Sequence, residues 1–294
     1  VKEYYEKGDK FGMNSQYIKQ DYPRGIADAI NLCKNFIGKE KFLVFLGDNI
    51  ILKSISEFVK QFENSNVDAS ILLCEVDNPS RFGIADIVNG KIKEIIEKPK
   101  NPPTNLAVTG IYFLTPKIFE IINKLKPSWR NELEITDALD LLLKENDNIT
   151  YNTITDYWKD TGTPEDIIHA NKTILEKFIP KIEGEVSGNV KKSGIIIIEK
   201  GSKIENDVEL IGPVLIGENS IIKEGSKIGP NATIGNECII SKVKIKDSII
   251  MNNCHISIKS TIVNSIISSN SELSFKQESD EKTFLLGEGT KIFL

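Results

Sequence analysis

Two rhythms of hydrophobic positions divide this chain. In the first half, short apolar runs alternate with amphipathic stretches. Phe42-Leu43-Val44-Phe45-Leu46 has no polar interruption, which predicts a parallel strand covered by helices on both faces. Ile71-Leu72-Leu73, inside Asp68 to Val76, predicts a second buried strand, and Ser54 to Phe62 between them has the polar face of a surface helix. Phe82 to Ile92 reads as two strands around Asn89-Gly90, a strong hairpin signal. Val108 to Phe113 is a strand with Gly110 inside it, where a ligand or another backbone comes close. Helices from Pro116 to Leu125 and from Leu133 to Glu145 follow; Thr163-Pro164 then caps and opens a helix to about Phe178. Upstream, Val1 to Gly8 reads as a helix end stopped by glycine and Gln16 to Lys19 as a strand. Tyr22-Pro23-Arg24-Gly25 is a loop into a helix striped by Ile26, Ala29, Ile30 and Cys33. Alternating strands and helices imply an α/β fold.

The second half keeps a different period. Ile198, Ile204, Leu210, Ile216, Ile222, Ile228, Ile234 and Ile240 recur at every sixth residue. Two positions before these from Ile204 onward stand Ser202, Val208, Val214, Ser220, Ser226, Ala232 and Cys238, mostly small. This is the hexapeptide repeat of a left-handed parallel β-helix, with three hexapeptides per coil and the aliphatic residue pointing inward. After Ile240 the phase slips and resumes at Ile250, Ile256 and Ile262, which predicts an extruded loop or a change of corner. Domain boundaries follow: an α/β domain over 1–178, a linker over 179–184 and a β-helix over 185–294. Ile195, Ile197, Ile211, Ile221 and Ile239 point away from the hexapeptide core. They predict a homo-oligomer assembled through the β-helix, or packing of those residues on the first domain.

Composition narrows the function classes. A chain of 294 residues with 40% hydrophobic residues has room for two cores. A net charge of −5 argues against electrostatic binding of nucleic acid, and no run of about 18 apolar residues predicts a membrane span. The four cysteines, Cys33, Cys74, Cys238 and Cys254, show neither close pairing nor metal spacing. They read as reduced thiols of a cytoplasmic protein.

Candidate chemistry gathers at strand ends. In an open α/β sheet, ligands sit beyond the carboxyl ends of strands. Asp48 follows the first apolar run and Asp160 ends Trp158-Lys159-Asp160, so both carboxylates are placed where a hard cation binds. Glu97-Lys98 taken alone reads as a solvated strand end. His169, on an amphipathic helix, reads as structural or exposed, and His255, without the glycine-rich surroundings expected of an acyltransferase base, reads as structural.

Seven motifs in order carry a resemblance. Tyr17 to Gly25, Leu46-Gly47-Asp48-Asn49, Phe82-Gly83 and Glu97-Lys98-Pro99 come first. Val108 to Tyr112, Glu132-Leu133-Glu134-Ile135-Thr136-Asp137 and Trp158 to Thr163 complete the series. Together they resemble the glucose-1-phosphate thymidylyltransferases, in the long archaeal form of sugar-phosphate nucleotidyltransferase that carries a hexapeptide β-helix. The resemblance implies a Rossmann-like nucleotidyltransferase domain in which a sugar 1-phosphate attacks the α-phosphorus of dTTP and pyrophosphate leaves. It also implies roles: Gln20 and Gly25 on the base, Asp48 and Asp160 on Mg²⁺, and Gly83, Glu97 and Gly110 around the glucose. Lys98 is placed on the sugar phosphate, and Arg130 matches a phosphate-binding arginine. The Gln20 amide can donate and accept in one plane and so matches thymine or uracil equally; UTP stands as the alternative nucleotide. The family's opening Gly-x-Gly-Thr-x-Arg loop has no counterpart; Gly287-Glu288-Gly289-Thr290 lacks the arginine. The first domain is therefore expected to be incomplete at its N-terminus and weakly active or inactive alone, or a regulatory or assembly subunit. The end, Phe284 to Ile292, resembles the closing strands of the long archaeal form.

Overall fold

The computed structural model describes residues 1–145 and 148–274, so the motifs between Phe284 and Ile292 lie outside the described residues. Contacts group the chain into two compact units, Val1–Asp160 and Thr161–Leu294. The helix placed by sequence at the end of the first domain thus groups with the second unit.

The first unit is built on a mixed sheet. Its strands are β1 (Phe42–Phe45), β3 (Ala69–Glu75), β4 (Gly83–Val88), β5 (Lys91–Glu97), β6 (Leu106–Leu114) and β7 (Ile149–Thr153). β2 (Asn49–Ile51) and β8 (Trp158–Asp160) form a separate antiparallel pair. The sheet order is β5-β4-β6-β3-β7, with β1 paired to β6. Because side chains alternate along a strand, Ile71 and Leu73 of β3 enter one core while Leu72 and Cys74 enter another. The first core is closed by α5 (Lys117–Ile122) and α6 (Ile135–Lys144), the second by α4 (Ser56–Glu63) through Phe62. That two-sided cover explains the uninterrupted apolar run of β3. The hairpin is also where the pattern placed it: Asn89 and Gly90 both have positive φ, 51° and 74°, the conformation a two-residue hairpin turn requires.

Two strand expectations are corrected. Phe42 to Leu46 is neither parallel nor buried on both faces; β1 runs antiparallel to β6, with Phe42 opposite Leu114 and Phe45 opposite Ile111. It pairs on one edge only among the described residues. One face is packed and the other is open, so alternate side chains are covered and Leu43 and Phe45 are 39% and 42% exposed. The unbroken apolar run could not distinguish this edge position from a central one. Gln16 to Lys19 forms no regular element. Ahead of it are only a one-turn helix, α1 (Lys2–Tyr5), and a 3-10 turn at Asp9–Phe11.

In the second unit, α7 (Pro164–Leu175) starts as the sequence predicts. Thr163 Oγ1 accepts from Asp166 N at 3.2 Å, capping an otherwise unpaired helix donor. Replacing Thr163 with alanine is expected to cost about 1 kcal/mol, read as a lower midpoint in denaturant with an unchanged slope.

The hexapeptide region forms three parallel sheets. One contains Ile196–Ile198, Val214–Ile216, Ala232–Ile234 and Ser248–Ile250, each paired with the next. Ile204, Ile222, Ile240 and Ile256 stack in the second sheet; Leu210, Ile228, Ile245 and Ile262 stack in the third. All but Ile262 are buried. The phase slip is a shortened coil and not an extruded loop. Pairing of Ile228 with Ile245 and of Ile234 with Ile250 drops a residue at each of two corners. The small positions form a buried polar ladder: Ser202 Oγ donates to Gly217 O, Ser220 Oγ to Gly235 O, Cys238 Sγ to Met251 O and Cys254 Sγ to Ser268 O. Size and donor capacity together dictate those residues. α7 lies on the sheet that holds Thr233, whose hydroxyl donates to Asn171 Oδ1 at 2.6 Å. Ile197 of the same outward row is 8% exposed, whereas Ile195, Ile211, Ile221 and Ile239 are half-buried.

Candidate active site

The β2–β8 pair brings the two strand-end aspartates together. Asn49 lies opposite Asp160 in the ladder, so Asp48 sits one residue from that register point. Asn49 is the fixed point between them. Its Nδ2 donates to Asp48 Oδ1 at 2.8 Å, and its Oδ1 accepts from Gly110 N at 3.0 Å and from Trp158 Nε1 at 2.6 Å. One nearly buried amide thereby ties Asp48, the β6 glycine and the strand that ends on Asp160. Among the described residues no three His, Cys, Asp or Glu side chains converge into a closed metal cage. A pair of carboxylates with all-oxygen chemistry instead fits Mg²⁺, which keeps waters and shares substrate phosphates.

A second group forms around Glu97, at the end of β5. Gly83 is its direct partner across the β4–β5 ladder. A Cβ on Gly83 would lie 2.4 Å from Thr136 Cγ2 and 3.2 Å from Glu97 Oε2, so the glycine leaves room for both. Thr136, in the first turn of α6, donates to Glu97 Oε2 at 2.9 Å. On the other oxygen, Arg130 Nη1 stands 3.4 Å and Lys98 Nζ 3.8 Å from Glu97 Oε1. Arg130 also meets Glu132 Oε2 at 2.8 Å and Glu134 Oε1 at 3.6 Å, and the buried Glu134 accepts from Ser128 Oγ at 2.9 Å. Lys98 has a left-handed φ of 42° immediately before Pro99, a conformation that costs a non-glycine residue energy. Such strain collects at functional positions.

Burial pushes the Glu97 carboxyl above the usual carboxylate range; Glu134 adds to the rise, and Thr136, Lys98 and Arg130 oppose it. Tyr112 of β6 is buried, and its phenol is held well above the ordinary value by desolvation, then by the negative fields of Glu97 and Asp48.

The third group is at the start of α2 (Ile26–Leu32). Gly25 has φ 102°, and a Cβ there would lie 2.4 Å from Leu133 O, so only glycine lets this helix start meet the Glu132–Asp137 segment. Leu133 N donates to Arg24 O and Ala27 N to Leu133 O, locking the two segments. Gln20 lies beside Gly25, its Nε2 3.3 Å from Gly25 O. Every residue to which the resemblance assigns a role is thus in the first unit. Asn49, Thr136 and Glu134, which the motifs contained without assigning, do much of the holding. The buried Tyr112 ends the Val108 to Tyr112 motif and was likewise given no role.

A family model described as nucleotidyl transferase matches residues 1–177. The chain belongs to the nucleotidyl transferase family. A second model, the GMPPB C-terminal domain, matches residues 210–292. Similar proteins include a glucose-1-phosphate thymidylyltransferase of Streptomyces antibioticus, 37% identical over 83% of this chain and 68% of the relative. The bifunctional protein GlmU of Methanococcus aeolicus is 38% identical over 86% of this chain and 64% of the relative. The chain thus spans about two thirds of the length of these nucleotidyltransferase relatives. Among solved structures, a Bacillus anthracis protein described as a candidate glucose-1-phosphate thymidylyltransferase, in complex with sucrose, is 43% identical. It covers 61% of this chain and 73% of its own, with a TM-score of 0.57. A UDP-glucose pyrophosphorylase complexed with UDP-glucose is 29% identical, over 55% and 66%, with a TM-score of 0.50. As the sequence resemblance implies, this nucleotidyltransferase pairs a Rossmann-like domain with a parallel β-helix.

Glu97 gives this nucleotidyltransferase a pH signature. A carboxylate raised in the folded state binds its proton more tightly there than in the unfolded chain. Its ionisation costs stability that is absent below the ordinary carboxylate range and complete above the raised value. Glu97→Gln is therefore expected to melt higher than wild type at neutral pH, with the difference vanishing in acid. Thermal melts from pH 4 to pH 8 check this; a lower neutral melting temperature refutes it.

Proposed function

We propose that this nucleotidyltransferase joins dTTP to glucose 1-phosphate, forming dTDP-glucose and pyrophosphate, with UTP as the alternative nucleotide. The observation that carries the reading is the convergence on Glu97 of Lys98, Arg130, Gly83 and Thr136. A carboxylate that accepts from sugar hydroxyls, flanked by two cations for a phosphate, suits a hexose 1-phosphate better than a neutral sugar or a free phosphate. The thymidylyltransferase relatives favour dTTP, while the pyrophosphorylase neighbour keeps UTP open.

The roles follow from position. Lys98 and Arg130 neutralise the sugar phosphate and orient its oxygen for in-line attack. Glu97 and the Gly83 and Gly110 backbones hold the hexose, and Gln20 with Gly25 meets the base. Asp48 and Asp160 would hold Mg²⁺. When bound, Mg²⁺ supplies charge neutralisation on the transferring phosphate. Displacement at phosphorus needs alignment more than covalent catalysis, and no nucleophilic side chain is required.

Calorimetric titration of residues 1–294 with glucose 1-phosphate tests the reading. Lys98→Ala is expected to weaken binding by about tenfold or more, the worth of one charge-assisted contact, without lowering the melting temperature. Equal affinity of wild type and Lys98→Ala would overturn the assignment.

We also propose that the β-helix carries the chain into a homo-oligomer, supported by the half-buried outward residues Ile195, Ile211, Ile221 and Ile239. Light scattering at tens of micromolar checks it, and a monomer would refute it.

A further inference from the structure

Gln20 is assigned above to the nucleobase, and its surroundings decide which amide atom a ligand meets. Its Nε2 donates to Asp28 Oδ2 at 2.7 Å and to Gly25 O at 3.3 Å. A primary amide has two N–H donors, so both are spent inside the protein. The amide cannot turn over, because a carboxylate only accepts and turning would set Gln20 Oε1 against Asp28 Oδ2. Asp28 is itself held: Arg24 Nε stands 3.4 Å from the same Oδ2, and the Asp28 side chain is only 15% exposed. Gln20 therefore offers a ligand one group, the Oε1 acceptor.

We propose that Asp28 is a positioning residue that sets base specificity by locking the Gln20 amide with its oxygen outward. The proposal rests on the assignment of Gln20 to the base. An outward acceptor is complementary to a ring N–H, such as N3–H of thymine or uracil. It opposes the N3 lone pair of cytosine, which is an acceptor at the same position. Discrimination between the two bases then depends on a residue that touches neither. Removing the carboxylate leaves only the longer 3.3 Å contact with Gly25 O to hold the amide, so it can turn to present Nε2 and cytosine becomes an acceptable partner.

The test is calorimetric titration of residues 1–294 with Mg²⁺–UTP and with Mg²⁺–CTP, for wild type, Asp28→Ala and Asp28→Leu, neither of which keeps a side-chain acceptor for Gln20. Wild type is expected to prefer UTP by about tenfold or more, as sites with fixed polar groups do. Both variants are expected to bring the two affinities within about threefold, chiefly by tightening CTP. Asp28→Leu serves if the alanine variant does not fold, as judged by circular dichroism. A folded variant that keeps the wild-type ratio, even with both affinities lowered, overturns the proposal by showing that Asp28 only supports the loop. A wild type without preference would instead remove the assignment of Gln20 to the base, and the proposal with it.

Discussion

Replacing Ile222 with aspartate is expected to abolish cooperative folding of the β-helix, whereas Ile221→Asp is expected to leave it folded. Ile222 is fully buried and stacks between Ile204 and Ile240 on adjacent coils. Its neighbour Ile221 points outward from the same strand and is only half-buried. Burying an isoleucine side chain contributes about 1.5–3 kcal/mol, and an unpaired carboxylate in its place adds several kcal/mol of desolvation. The sum approaches the whole stability of a typical domain, roughly 5–15 kcal/mol. Because each coil contacts only its neighbours, disruption in the middle separates two short stacks that cannot each cover a core. Far-ultraviolet circular dichroism through a thermal ramp distinguishes the variants. A cooperative β transition in Ile222→Asp, or its loss in Ile221→Asp, would contradict the inward and outward assignment.

What the sequence made legible follows from how local each signal was. The hexapeptide period fixes inward residues without any knowledge of partners, because each coil pairs with a copy of its own pattern. Even the shortened coil after Ile240 was visible as a slip, though its sense depended on which corners lost residues. β3 and the Asn89-Gly90 hairpin were readable for similar reasons, one from a two-sided apolar run and the other from turn chemistry. β1 was not, since five apolar residues say nothing about direction or about whether both edges are paired. At the site, the motifs named charged ends and glycines, but the groups that hold them came from distant segments. Thr136 reaches Glu97 across 39 residues of chain, and Asn49 reaches Trp158 across 109. Pairings of that range are set by tertiary packing, which no local pattern encodes. Asp28 is the same case at shorter range: on an amphipathic helix it reads as one more solvated acid, and only the contact with Gln20 gives it meaning.

Gly110→Ala is expected to unseat the metal end of the site through Asn49. A Cβ on Gly110 would lie 2.5 Å from Asn49 Nδ2, 2.8 Å from Cγ and 2.9 Å from Oδ1, closer than side-chain carbons approach. Those atoms are not a free-swinging tip. Asn49 is 9% exposed, and its amide is held at both ends by Gly110 N, Trp158 Nε1 and Asp48 Oδ1. Moving it leaves the Gly110 and Trp158 donors unpaired in the interior, at about 1–3 kcal/mol each, while the forced packing adds a comparable cost. A loss of roughly 2–5 kcal/mol is therefore expected, read as a lower denaturation midpoint. The second consequence concerns Asp48, which loses the Nδ2 donor that fixes its carboxylate. If Asp48 and Asp160 hold the divalent ion, Mn²⁺ affinity measured by electron paramagnetic resonance should fall about tenfold or more in the folded variant. Thr109→Ser, one residue earlier, keeps the hydroxyl bond to Leu72 O, so it should lose only about 1 kcal/mol for its buried methyl and leave Mn²⁺ affinity unchanged. Wild-type stability and Mn²⁺ affinity in Gly110→Ala would show that Asn49 yields freely and that Asp48 is oriented by something else.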